Sequence, residues 1–416
     1  MKMKKHNYSF ILFGLLLSQV SCFNQQEGKA IRTSFPKILQ FDLRTVINDS
    51  LDLSFIAEKI EYIPLQTNDT ILLEYFDNYV ITDDRIFIEN KGLIRVFDSE
   101  GNYINNLFTR GRGPEESTLR CFAVDEDKRL VYVYGSNANT VKIYNYDGTY
   151  IGEIRNFLPE GYRTFSIGIF DEAIFVQTSQ RPGTEYLYSL YYPETDSVCI
   201  LYPNYRQYLK SQQEKMPLSP YDYHYQLTDS LLLLKESYSD TIYKVTEDLK
   251  KEPYYIVNLG DNKLGWEHWR DNGMFVAYNR VGPPKGYKVQ SFIEADNFLF
   301  FVLSSFIEPS LFAIYNKKSD KLRIITHKNI ELPNDQIFLK NDLDNLLPFT
   351  PMNGNGYMTY KNNCLYSVIE AGEFAEAYRK YFRRKSTPED YITKMDSVLA
   401  EIDEFNNPVI IKLYLK

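Results

Sequence analysis

Residues 94–104, IRVFDSEGNYI, lie over residues 141–151, VKIYNYDGTYI, without a gap. Gly101 falls on Gly148 and Tyr103 on Tyr150, an offset of 47 residues. Each stretch reads as a β-hairpin: apolar residues alternate, a glycine stands where the turn needs positive φ, and the alternation resumes. Longer hairpins without the glycine follow at 186–201 (YLYSLYYPETDSVCIL), 240–259 (DTIYKVTEDLKKEPYYIVNL) and 310–325 (SLFAIYNKKSDKLRII). Each is preceded by another apolar pair of strands, in NYVITDDRIFIEN (78–90), KRLVYVYGS (128–136), DEAIFVQTS (171–179), DSLLLLKES (229–237) and DNFLFFVLSS (296–305). The 35 tyrosines and 27 phenylalanines support strands over helices.

One unit is therefore four antiparallel strands, repeated at roughly 45–60 residues, the period of a propeller blade. A lone four-stranded sheet cannot cover its own apolar faces, and packing blades around an axis buries them against each other. The sequence thus predicts an all-β fold, a six-bladed β-propeller of four-stranded antiparallel blades spanning 41–416. Five units are clear, and NGNGYMTYKNNCLYSVIEA (353–371) supplies the sixth. KIEYIPLQTND (59–69) and the last strand, PVIIKLYLK (408–416), are the segments expected to close the ring. The irregular stretch 202–226 leaves room for a seventh blade.

One segment breaks the pattern. EFAEAYRKYFRRK (373–385) and PEDYITKMDSVLAEIDEF (388–405) have helical spacing, with Phe374, Tyr378, Tyr381 and Phe382 on one face and Ile392, Met395, Leu399 and Ile402 on another. Thr387 suits an N-cap, Pro388 the first helical position, and Asp390 a variant capping box. A helical insertion over about 373–405 is predicted inside the last blade, either as a packed cap or with its basic run Arg379–Lys385 offered to a partner.

The N-terminus reads as an address. Lys2, Lys4 and Lys5 precede an apolar core from Phe10 to Leu17, too short to span a bilayer, and a short polar exit; residues 1–21 form a signal peptide. Cys22, after Val20-Ser21, resembles the lipobox cysteine of bacterial lipoproteins and is the expected lipid-attachment site. Gln19 stands where an aliphatic residue is usual. Residues 22–40 then form a lipidated N-terminus and flexible tether, which places the protein at the cell envelope, lipid-anchored to the outer membrane. Loss of three signal lysines takes the formal charge from −8 to −11. That balance argues against nucleic acid, whose binding needs a concentrated basic surface. Cys121, Cys199 and Cys364 are odd in number and far apart, and read as small buried side chains.

Together these features resemble the six-bladed β-propeller lipoproteins of bacteria, NHL-like proteins of mostly unknown function. The carriers are Gly111-Arg112-Gly113-Pro114 with Glu116, Ser239-Asp240-Thr241-Ile242-Tyr243, and Asn407-Pro408-Val409. Family members usually carry Gly-Pro-Gly-Glu and then an aromatic at the first place, where this chain has Glu115 and Ser117. The resemblance implies a propeller and a lipid anchor, and brings no catalytic residues.

Chemistry is sparse. There is no Gly-x-Ser-x-Gly, His-Glu-x-x-His or Cys-x-x-Cys motif, and no cofactor or metal site is expected. The mature histidines, His224, His268 and His327, are scattered. Asp98-Ser99-Glu100-Gly101 is explained by turn chemistry, not calcium.

Two segments are candidate binding elements. GWEHWRDNGMF (265–275) joins Trp266 and Trp269 to His268, the aromatic and polar mixture of a sugar-binding surface or of interblade packing. FTRGRGPEES (108–117) is followed by strands, not a helix, so it is no phosphate cradle. It reads as a blade junction with Arg110, Arg112 and Glu116 on a propeller face near the axis. The predicted function is a non-catalytic platform for glycan or protein partners. The alternative is an extracytoplasmic hydrolase or lyase using acids and histidines at the channel.

Overall fold

In the computed structural model, the described residues are 36–47, 51–68, 71–73, 78–135, 139–160, 162, 164–178, 185–203, 224–228, 231–236, 239–264, 285–326, 338–353, 356–382, 402–403 and 405–416. After β1 (Lys37–Gln40) and β2 (Ala57–Pro64), five successive blades form. Blade 1 holds β3–β6 (Asn78–Ile81, Arg85–Asn90, Leu93–Asp98, Tyr103–Asn106), and blade 2 holds β7–β10 (Leu119–Asp125, Leu130–Gly135, Thr140–Asn145, Tyr150–Arg155). Blade 3 holds β11–β14 (Thr164–Phe170, Ala173–Thr178, Tyr186–Tyr192, Ser197–Pro203), and blade 4 holds β15–β18 (His224–Thr228, Leu231–Lys235, Thr241–Val245, Lys251–Asn258). Blade 5 holds β19–β22 (Lys288–Glu294, Phe298–Ser304, Leu311–Asn316, Lys321–Ile325). A two-strand ribbon, β23 (Met352–Asn353) with β24 (Gly356–Tyr357), precedes the sixth blade.

Blade 6 takes β25 (Thr359–Lys361), β26 (Cys364–Ile369) and β27 (Val409–Leu415) from the end of the chain and its outermost strand, β2, from the beginning. The ring is closed as the sequence predicts, with six blades. In blades 1 to 5 the first strand is innermost and in blade 6 it is β25, and the inner strands of blades 2 to 6 neighbour one another in turn around the axis.

The core is divided in the same way. Six apolar clusters sit at the six blade junctions, for example Phe87, Val96, Val133 and Tyr144 between blades 1 and 2, and Phe300, Phe312, Leu365 and Leu413 between blades 5 and 6. Cys121 and Cys364 are buried at junctions and Cys199 is half-buried; all three are free. Burial pushes the Cys121 thiol far above its ordinary pKa, so it acts as packing.

The repeat glycines do what their spacing predicts, and one thing more. Gly101 and Gly148 adopt φ +91° and +90°. Both also press against the preceding blade: a Cβ on Gly148 would lie 2.7 Å from Leu107 O, and one on Gly101 would collide with Pro64 O. Around Gly101, Gln66 N donates to Gly101 O at 2.8 Å, and Tyr103 N donates to Gln66 Oε1 at 2.8 Å. The glycine is thus both a turn residue and a contact between blades.

The amino-terminal segment departs from the sequence reading. Lys37–Gln40, assigned to the tether, is a strand that pairs in parallel with the outer strand of blade 4. Four residues carry too little pattern to reveal a partner so far along the chain. From there the backbone follows the rim, with Ile47 bridged to Ile325 and Asp52 to Lys340, before entering blade 6 as β2. The expected insertion begins as helix α1 (Ala371–Phe382), with Phe374 buried against Leu347 and Val409 and edge-on to Tyr62 at 5.5 Å. Residues 383–401, including Thr387 and Pro388, lie outside the described residues, as do 204–223.

A pair of substitutions separates backbone strain from contact. Gly92→Ala meets only its φ of +73°, with nothing within 4 Å, and should cost about 1 kcal/mol. Gly101→Ala adds a clash with backbone and should cost roughly 2–4 kcal/mol. Equal losses in urea midpoint for the two variants would show that the interblade contact is not what fixes this glycine.

Candidate functional site

FTRGRGPEES connects β6, the outer strand of blade 1, to β7, the inner strand of blade 2. Its shape is set by Lys142 on β9. The ammonium donates to Gly113 O and Pro114 O, both at 2.8 Å, and to Glu116 O. Tyr144 OH donates to Glu115 O at 3.0 Å. Glu116 turns inward, its Oε2 accepting from Gly113 N at 2.8 Å, and it fills the space beside Gly111 and Gly113 that a Cβ would need. Phe108 stacks on Tyr144 at 5.5 Å and anchors the loop at the junction of blades 1 and 2.

The loop therefore rests on the third strand of blade 2, further from the axis than the sequence predicts. Of its three candidate residues, Glu116 is a structural cap, whereas Arg110 and Arg112 are exposed on a fixed frame. Trp266, His268 and Trp269 lie outside the described residues, as does Cys22. The described ends of the tryptophan segment meet: Leu264 N donates to Tyr287 O, and Tyr287 N to Asn262 O, both at 2.7 Å.

The other family-like motifs are also scaffolding. Asn407 is 1% exposed. Its Oδ1 accepts from Leu73 N at 2.6 Å and its Nδ2 donates to Gln66 O and Ile71 O at 2.7 and 2.9 Å, which ties the chain leaving β2 to the start of β27. At the start of β17, Ser239 Oγ accepts from Thr241 N, and Asp240 pairs with Lys263 at 2.7 Å.

Sequence reasoning missed a feature at the axis. The inner strands of blades 2, 3 and 5 each slip register once, between Leu119 and Cys121, Thr164 and Ser166, and Val289 and Ser291. The slips fall opposite equivalent residues of the second strands, Gly135, Thr178 and Leu303. Bulges of this kind re-aim one side chain, here Arg120, Phe165 and Gln290. Arg120 Nε donates to Thr164 O at 2.6 Å, and its guanidinium lies 5.9 Å from the centroid of the Phe165 ring. Phe165 is 38% exposed.

Further polar contacts stitch blade to blade. Ser166 Oγ and Tyr225 OH are 2.5 Å apart, His224 Nε2 donates to Phe292 O at 2.8 Å, and Gln226 exchanges two hydrogen bonds with the Glu294 backbone. Beside His224, blades 4, 5 and 6 leave a cavity of about 10 Å³, room for roughly one water. The inner-strand carboxylates are engaged at the opposite end of the axis: Asp125 accepts from Lys128 N, and Glu294 pairs with Lys317 and Tyr255.

Burial brings the His224 pKa down to about 4 and pushes Tyr225 up to about 12. Of the two, only His224 changes stability in the ordinary pH range. Because its folded pKa lies below the unfolded value, the unfolded chain takes up a proton first as the pH falls from about 6.5 towards 4. The protein should lose up to about 3 kcal/mol of stability across that window through this residue. The urea midpoint of His224→Gln should fall less between pH 7 and pH 4.5 than that of the wild type, and parallel curves would refute the assignment.

The fold thus defines a six-bladed β-propeller whose inner strands are stitched blade to blade by polar contacts. The chain belongs to the family described as a domain of unknown function, DUF4934, which matches residues 38–414. It is similar to an exported protein of Bacteroides fragilis, with a TM-score of 0.65 at 14% identity, covering 91% of this chain and 100% of that one. It is also similar to a DUF4221 family member from Bacteroides vulgatus, with a TM-score of 0.47 at 13% identity, covering 86% and 97%. No curated protein matches the sequence.

Proposed function

We propose that this protein is an extracytoplasmic binding platform, held at the outer membrane by a lipid on Cys22, which presents its connection face to a glycan or protein partner carrying anionic groups. The observation that carries this reading is the loop locked on Lys142. A lysine that holds three carbonyls of one loop gives that loop a single shape before any partner arrives, so little ordering entropy opposes binding. Arg110 and Arg112 are exposed on this loop together with Glu115, and guanidinium groups match carboxylate and sulfate oxygens in pairs. Trp266, His268 and Trp269 belong to another connection of the same kind and would extend the surface with rings that stack on sugars.

The signal sequence and Cys22 support the location, and the like-folded B. fragilis protein is named as an exported one. At the axis, Arg120, Ser166, Tyr225 and His224 are joined to neighbouring blades by hydrogen bonds, an arrangement that suits a rigid scaffold.

Binding of the mature chain to a panel of acidic and neutral polysaccharides and envelope proteins tests the reading. Arg110→Ala with Arg112→Ala should weaken the bound partner at least about tenfold, the loss of one or two charge-assisted hydrogen bonds. Lys142→Met should weaken it too, and should speed tryptic cleavage after Arg110 and Arg112 as the loop loosens. Unchanged affinity in both variants would refute the site. Cys22→Ser should move the protein from the detergent phase to the aqueous phase on partitioning, and retention in detergent would refute the anchor.

A further inference from the structure

The turn between the third and fourth strands closes the rim where it carries glycine, at Gly101 against blade 6 and Gly148 against blade 1. Blade 3 has Pro193-Glu194-Thr195-Asp196 there, with Asp196 at φ +49°, and the rim stays open. An open cleft of about 690 Å³ lies between the end of blade 2 and this hairpin, within the size range of ligand sites. Asn156, Phe157, Glu160 and Tyr162 line one side, and Tyr191, Asp196 and Val198 the other.

We propose that this cleft receives a single cationic side chain, arginine or lysine, from a peptide segment of a partner protein. Two independent observations converge on a cation. The first is the hydrogen-bonding capacity that remains in the cleft. Asn139 uses its amide in both directions on Leu158, and Tyr191 OH donates to Asp196 Oδ1 at 2.9 Å. Glu160 is exposed with no partner among the described residues, and Asp196 keeps its second oxygen. None of the described lining residues is a lysine, arginine or histidine; the neighbouring Arg155 pairs with Glu153 at 2.6 Å. A site rich in acceptors and walled by aromatic rings suits a donor-rich cation.

The second observation comes from the next junction. There Lys251, the first residue of β18, places its ammonium 3.3 Å from the centroid of Tyr202 and 4.4 Å from that of Tyr243. The chain fills that groove with its own cation. In the blade 3 ladder the residue equivalent to Lys251 is Val198, since Tyr191 pairs with Val198 as Val245 pairs with Lys251. Val198 is 46% exposed and supplies no charge. At the groove between blades 2 and 3, that ladder position therefore brings no cation of the chain's own.

The probe is acetyl-Gly-Arg-Gly-amide, with the neutral citrulline tripeptide as its control, titrated into the mature wild-type chain by NMR. The arginine peptide should bind with a dissociation constant roughly in the millimolar range or below, and the citrulline peptide at least about tenfold more weakly. Glu160→Gln with Asp196→Asn should reduce binding by a similar factor. Val198→Lys should abolish it by filling the recess from within, with no loss of melting temperature. Arg110→Ala with Arg112→Ala should leave it unchanged, which separates this site from the connection face. Equal binding of the two peptides, retention of binding by the carboxamide variant or by Val198→Lys, or no measurable binding of the arginine peptide would each overturn the proposal.

Discussion

The ladder between β2 and β27 is the contact on which the ring depends. Seven residue pairs from Ala57↔Leu415 to Pro64↔Val409 join the two ends of the propeller chain. Without them blade 6 would have three strands, and the apolar faces it turns towards blades 1 and 5 would lose their outer support. Asn407 reinforces the closure, because its buried amide satisfies backbone groups of the segment leaving β2. A buried amide with donors and acceptor engaged is favourable only while all its partners stay in place. The polar network therefore penalises any slip of the closing strands.

Around that closed ring, functional capacity follows from departures from the repeat. Where the turn is Gly-bearing, blade meets blade and the rim is sealed. In blade 3 that turn lacks glycine and a cleft lies beside it, where the fourth strand presents Val198; at the next junction the equivalent Lys251 sits over the rings of Tyr202 and Tyr243. Inner-strand bulges work in the same way, by moving a single side chain out of register without altering the blade. A propeller can thus vary its surface locally because each junction has its own core cluster and depends little on the others.

Most of the architecture is legible in the sequence because every blade must be apolar on both faces, and that demand repeats with the chain. Ile94 and Val96 pack towards blade 2 while Phe97 packs towards blade 6. Their counterparts one blade on, Val141, Ile143 and Tyr144, divide in the same way between blades 3 and 1. What the sequence does not disclose also has physical reasons. The four residues of β1 gain their structure from an edge far along the chain, and no local pattern encodes that. A bulge adds one residue to a strand and leaves its composition unchanged, so Arg120 and Phe165 look like ordinary strand positions. Lys142 reads as the solvent-facing member of an alternating strand, yet it organises a loop some 28 residues upstream. Glu116 is recognisable as part of a motif, but only the geometry shows that it caps Gly113 and does not face outward.

The path of the chain before β2 has a mechanical consequence. β1 runs parallel to β18 over four rungs, Ile47 is bridged to Ile325, and Leu53 N donates to Lys340 O at 2.7 Å. A pull from the amino-terminal side runs along β1 and loads its rungs together in shear, which resists far better than opening them one at a time. The force reaches the closing strand only after those attachments yield. Tension applied at the amino-terminal end would thus load blades 4 and 5 before the closing strands.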